Sequence, residues 1–205
     1  MEPTDPQPSP EILARQANAR DCADMERLIA GQDTALNDLM ERHATPVFHF
    51  LCRMVGNEDD ANDLAQETFV RVFKSSGSFR TNEKFSTWLF TIAANLARNH
   101  FRWRSRHPAI SLETESVETE QTLGSMLPSD APAPNEQAQA IERAAAVRAA
   151  VGRLPEDLRE VIVLCEWEEL STAEAATVLE VTPKAVESRL YRARQLLRER
   201  LKSWM

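Results

Sequence analysis

One stretch limits the possible fold more than any other: "LSTAEAATVLEVTPKAVESRLYRARQLLRERL", residues 170–201. Ser171 and Glu174 stand three apart, the spacing at which a hydroxyl and a carboxylate each satisfy an amide at a helix start. A helix therefore begins at Thr172 and runs to Leu179. Thr182 caps a second helix, whose first position is Pro183, where a missing N–H costs nothing. Only Glu180, Val181 and Thr182 lie between the two. Two helices on a three-residue turn form a helix-turn-helix.

The second helix has distinct faces. At about 100° per residue, Val186, Leu190, Ala193, Leu197 and Leu201 make an apolar stripe. Lys184, Ser188, Tyr191 and Gln195 lie opposite, flanked by Glu187 and Arg192. Arg189 and Arg194 border the stripe, where long stems cover apolar surface and still reach out. Residues 181–205 hold seven Lys or Arg and two Glu, although the whole chain carries −8. A basic helix after a capped short turn suits phosphate and base-edge contacts in a major groove.

The rest of the chain reads as helical too. Gly is only 5 and Tyr 1, while Ala, Leu, Glu and Arg dominate, so the fold class is all-α. Residues 108–140 contain six acids, four prolines and no Lys or Arg. That is linker composition. The expected organisation is a disordered tail over residues 1–17, a helical domain over 18–107, an acidic flexible linker over 108–137 and a smaller helical domain over 138–205. The first ten residues lack the basic start and apolar run of a signal peptide, and no apolar stretch is long enough for a bilayer. Cys22, Cys52 and Cys165 are far apart and form no CxxC pair, so neither a metal nor a cofactor is expected.

Two segments of the N-terminal domain are informative. In "GNEDDANDLAQETFVRVF" Asn57 caps a helix whose first turn is acidic, which suits the positive end of the helix dipole. Ala61, Leu64, Ala65, Phe69, Val72 and Phe73 keep a helical period and are expected in the core. Asp60, Asp63 and Glu67 share another face with Gln66 nearby, either a solvated surface or a dock for a basic partner. In "FSTWLFTIAANLARNHFRWRSR" the apolar stripe is Phe85, Trp88, Leu89, Ile92 and Leu96. Thr91, Asn95, Arg98 and Arg102 line the other side. Aromatics (Trp88, Phe90, Phe101 and Trp103) alternate with arginines towards the end, a pattern that suits single-stranded nucleic acid, with Trp88 partly structural.

Together, "DDANDLAQETFVRVF", "FSTWLFTIAANLARNHFR" and "LPEDLREVIVL…LSTAEAATVLEVTPKAVESRLYRAR" resemble the extracytoplasmic-function (ECF) sigma factors of the sigma-70 family, over nearly all of residues 20–202. The resemblance implies a sigma region 2 that holds the β′ clamp helices of core RNA polymerase and reads the −10 element. It implies a region 4 that sits on the β flap and reads the −35 element. By position, Asp60, Asp63, Gln66 and Glu67 look like polymerase-docking residues. Phe79, Arg80, Asn82, Lys84, Trp88, Arg98 and Arg102 look like −10 contacts, with the loop 79–84 capturing a flipped base. Lys184, Glu187, Ser188, Arg189, Tyr191 and Arg192 look like −35 readers. Glu187 stands where the family commonly has Lys or Arg, and Glu180 where the turn often has Gly. An anti-sigma partner, a bacterial cytoplasmic location and a monomeric free state are implied as well.

Two other readings compete. A stand-alone helix-turn-helix regulator accounts for the C-terminal domain alone. A metal-dependent hydrolase could use Asp59, Asp60, Asp63 and Glu67, but no second carboxylate helix, Gly-rich phosphate loop or nucleophile–base pair accompanies them. Glu166, Glu168 and Glu169 are expected to be solvated surface. The reading adopted is a promoter-specificity subunit without catalysis of its own.

Overall fold

The computed structural model describes residues 9–107 and 134–204, so the expected linker falls mostly outside the described residues, as do residues 1–8 of the expected tail. Among the described residues eight α-helices carry the fold: α1 Pro10–Ile29, α2 Ala35–Val55, α3 Glu58–Ser75, α4 Phe85–Arg106, α5 Pro134–Gly152, α6 Glu156–Glu166, α7 Thr172–Leu179 and α8 Pro183–Arg200. No strand occurs among the described residues. Helix starts earlier than composition suggested: α1 opens at Pro10 with proline in its first turn, well inside the expected tail.

The N-terminal unit, α1 to α4, is built around α2. Its buried side, Leu39, Val47, Phe50, Leu51 and Met54, packs against Phe69 and Val72 of α3 and Leu89, Phe90 and Ala93 of α4. Phe50 meets Phe90 edge-on at 5.3 Å between centroids. Truncating a side chain buried like Phe50 costs about 3–5 kcal/mol. The corner between α2 and α3 takes two residues. Gly56 adopts φ 75°, which only glycine takes without strain, and Asn57 Oδ1 accepts the Asp60 N–H at 2.9 Å. Ion pairs staple α1 to α2. The buried Asp21 takes Arg42 Nε and His43 Nε2, both at 2.9 Å, and Arg27 bridges Asp24 at 2.8 Å and Asp38 at 3.0 Å.

Two core expectations change. Phe73 is 44% exposed, and Thr68 takes the buried place on α3, its hydroxyl donating to the Leu64 carbonyl. Phe90, grouped by sequence with the nucleic-acid aromatics, is core. Helix α4 buries a broader face than its aromatic stripe, because Ala93, Ala94 and Ala97 allow close approach of the neighbouring helices.

The C-terminal unit, α5 to α8, closes over Leu158, Val161, Ile162 and Leu164 of α6, Ala175, Val178 and Leu179 of α7, and Val186, Leu190 and Ala193 of α8. The two units are not separate bodies. Helix α7 packs on α4 and α6 packs on α2, joining both cores into one apolar cluster. Arg159 of α6 donates to the Met54 carbonyl at 2.6 Å and lies over the Phe101 ring at 5.8 Å, both across this junction.

Candidate nucleic-acid interface

The helix-turn-helix forms as its sequence predicts. The Ser171 hydroxyl accepts the Glu174 N–H at 3.3 Å, and Glu174 Oε2 accepts the Ser171 N–H at 2.8 Å. Glu180 turns the chain at φ 55° and ψ 41°, the left-handed region, and the Val181 N–H returns to the Ala176 carbonyl at 3.0 Å. Thr182 Oγ1 then accepts the Ala185 N–H at 3.2 Å, starting α8. Ala175, Val178, Val186 and Leu190 hold the two helices together from beneath. The opposite face of α8 is left to solvent.

On that face Lys184, Glu187, Ser188, Tyr191 and Arg192 are exposed, Tyr191 by 66%. Gln195 Nε2 donates to the Tyr191 hydroxyl at 3.1 Å and steadies the ring. Arg189 differs from the rest: it is half-buried and sits 3.7 Å from Asp157 of α6. Arg194 is paired with Glu166, its Nε donating at 3.0 Å. The free cations of α8 are thus fewer than its composition suggests, and Glu187 is the carboxylate that stands among the exposed residues of this face.

The second candidate surface is the loop before α4. Arg80, Asn82 and Lys84 are exposed, and the loop leans over α1 to bound a cleft of about 640 Å³ that Asn18, Cys22 and Asn82 help to line. Asn18 Oδ1 accepts the Phe85 N–H at 3.0 Å, so α1 supplies the cap that Lys84 does not. Phe79 does not join this surface. It is 6% exposed, packed against Phe85 and Trp88 at 5.9 and 5.3 Å, and it anchors the loop from inside. Trp88 is half-buried in the same cluster, in keeping with a partly structural role. Arg102 and Trp103 at the end of α4 are exposed. Arg98 is not: it hydrogen-bonds Asn95 Oδ1 at 2.7 Å, approaches the Val178 carbonyl at 3.4 Å and lies 3.6 Å from Glu160.

The acidic face of α3 is split as well. Asp63 and Gln66 are exposed, Glu67 is held by Arg71 one turn on at 2.9 Å, and Asp60 turns towards α4, 3.4 Å from His100 and 3.7 Å from Arg104. No group of three or more His, Cys, Asp or Glu among the described residues could hold a metal ion. The expectation for Glu168 is corrected: its side chain is only 7% exposed, tucked beside Arg53 at 3.5 Å. Burial pushes its carboxyl up to about 7 despite that arginine. Glu160, buried between the units, is likewise raised to about 7 by burial, partly offset by Arg98. Sequence reading missed Arg53, Arg159 and Glu160. One signal was available: "EVIVL" places a lone acid in an apolar run on a helix buried nearly all round.

The comparisons agree with this geometry. The sigma-70 region 2 model matches residues 39–107 and the sigma-70 region 4 model residues 144–197, so both parts of a sigma-70-type factor are present in order. The ECF RNA polymerase sigma factor SigW of Bacillus subtilis is 34% identical over 173 residues, spanning 84% of this chain and 91% of the relative. The RNA polymerase sigma-H factor of Pseudomonas aeruginosa is 33% identical, spanning 84% and 89%. Among solved structures, CnrH in complex with the cytosolic domain of CnrY superposes with a TM-score of 0.66 at 27% identity, covering 90% of this chain and 98% of that one.

The chain belongs to the ECF sigma factors of the sigma-70 family. It binds core RNA polymerase and directs it to specific promoters in transcription initiation. A stand-alone helix-turn-helix regulator would explain only the C-terminal match and leave residues 39–107 unaccounted for. No helix among the described residues is long and apolar enough to cross a membrane.

Proposed function

We propose that this sigma factor divides its work among three surfaces. The exposed part of α3, Asp63, Gln66 and Glu67 with Asp60 braced behind them, docks on the β′ clamp helices. The loop with Arg80, Asn82 and Lys84, together with Arg98 and Arg102 of α4, engages the melted −10 strand. Phe79 and Trp88 shape that loop from beneath. The outer face of α8, Lys184, Glu187, Ser188, Tyr191 and Arg192 with Arg189 at its edge, reads the −35 duplex. The observation that carries the proposal is this last face: a capped, buried-backed helix presents cations, a hydroxyl and an aromatic to solvent around one carboxylate.

The chain performs no catalysis in this scheme and works in the bacterial cytoplasm, beside its polymerase. Its likeness to CnrH, solved in complex with the cytosolic domain of CnrY, supports a protein partner of the anti-sigma kind. In vitro transcription with core polymerase on a randomised promoter library tests the whole assignment. Enrichment of a paired −35 and −10 motif is the expected result. Transcripts with no enriched motif, or none above core enzyme alone, would sink it.

A further inference from the structure

Helix α4 begins without a cap of its own. Lys84 stands at the N-cap position and makes no side-chain capping bond, and Phe85, the first helical residue, is fully buried. Bulk water therefore does not reach the Phe85 amide. Its acceptor comes from 67 residues earlier in the chain: Asn18 Oδ1 of α1, at 3.0 Å. One turn further along α1, Cys22 Sγ lies 3.8 Å from the Thr81 carbonyl and 4.0 Å from that of Glu83. One edge of α1 thus runs under the second half of the loop.

This edge is itself held in place. Asp21, buried between Asn18 and Cys22 in sequence, takes Arg42 and His43 of α2, and the His43 ring meets Phe85 edge-on at 5.1 Å. Within the loop, the Glu83 N–H donates to the Arg80 carbonyl at 2.9 Å and closes a turn. A turn closed on itself has a shape but no fixed place on the protein. Its place is set by buried Phe79 at one end and by Asn18 at the other.

We propose that Asn18 is a positioning residue for promoter-strand recognition: by holding the Phe85 amide it fixes Asn82 and Lys84 at the cleft, and so sets which base the loop accepts. The inference rests on the assignment of that loop to the −10 strand. Hydrogen bonds to a base edge weaken steeply with distance and angle, whereas attraction of Lys84 for phosphate falls off slowly. A loop free to shift keeps its charge and loses its discrimination. A residue that only stabilised α4 would change how much of the chain is folded, and not which base is chosen.

The test uses holoenzyme assembled from core polymerase and the full chain, transcribing the randomised promoter library. Asn18→Leu removes the acceptor, keeps the side chain's size and favours helix at that position of α1. Discrimination at the −10 position read by the loop should fall about fivefold, the scale of one lost capping bond, with −35 selection unchanged. Asn18→Asp keeps the acceptor and should retain the −10 preference, because repulsion of phosphates by its added charge falls on all sequences alike. Unchanged −10 selection by Asn18→Leu would overturn the proposal and leave Asn18 as a helix cap alone. Equal loss in Asn18→Leu and Asn18→Asp would overturn it too, since the side-chain amide would then touch the strand directly. Asn82→Ala judges the underlying assignment and should relax the same −10 position. If it does not, the reading of the loop falls and the proposal with it. If it does while Asn18→Leu keeps the original preference, only the proposal falls.

Discussion

Glu180 occupies a backbone conformation that a side chain disfavours by about 1–2 kcal/mol. Nothing compensates beyond the two capping hydrogen bonds of its own amide, which glycine would keep. Glu180→Gly should therefore stabilise the turn by about 0.5–1 kcal/mol, after allowance for the greater freedom of glycine in the unfolded chain. A higher melting temperature with unchanged promoter binding is the expected outcome. An unchanged or lower one would mean that Glu180 makes a contact outside the turn. Glu187, seven residues on, bears on specificity instead. A carboxylate on the exposed face of α8 accepts from cytosine N4 and repels phosphate. Glu187→Arg should change the −35 bases selected from a randomised library while leaving the −10 bases as they were. Retention of the original −35 preference would show that α8 does not sit in the groove as proposed.

At the scale of elements, caps and amphipathic stripes decide where helices begin and which way they face. The Ser171–Glu174 box and the Thr182 cap were legible because capping depends on residues three apart in sequence. Thr182→Ala should cost about 1 kcal/mol in urea denaturation and weaken −35 binding more than −10 binding, since α8 starts there. Helix α3 was read correctly at its cap and less well on its faces. Phe73 is exposed and Thr68 buried because the neighbouring helices, and not the periodicity, choose which arc is covered. The exposed Asp63 belongs to the docking proposal at this same scale. Asp63→Ala should weaken binding to core polymerase about tenfold without altering helicity, as expected for loss of a charge facing a complementary surface. Equal affinity of the variant would return that face of α3 to ordinary solvated surface.

At the scale of the whole molecule, the two units share one core and a charged junction. Glu160 and Glu168 titrate near 7 when folded, far above the ordinary carboxylate value of 4.5, chiefly because they are buried. The folded chain therefore holds protons that the unfolded chain has released between about pH 4.5 and 7. Stability is greatest at the acidic end of that window and declines as pH rises through it, by at most roughly 3–4 kcal/mol per carboxyl. Urea midpoints should fall from pH 5.5 to pH 8, and Glu160→Gln should flatten the decline. Glu174 behaves oppositely. Burial works against its charge, but the Ser171 hydroxyl and amide and Lys84 together hold its carboxyl below the ordinary range. Its contribution is complete above 4.5 and is lost only as pH falls below that value.

Sequence alone determined helices α3, α4, α7 and α8, the caps at Asn57, Ser171 and Thr182, the family and the exposed face of α8, because each of these depends on residues a few positions apart. Tertiary structure decided the rest. Arg98 belongs to a basic, aromatic-rich segment by composition, yet it is held by Glu160 and the Val178 carbonyl from helices more than fifty residues away. Phe79 reads as part of a DNA-facing loop, yet it is the loop's buried anchor. Glu168 reads as surface, yet α2 covers it. Local periodicity describes one helix at a time. Which charges meet across the junction depends on how whole helices pack, and that is decided by apolar surface far from the charges themselves.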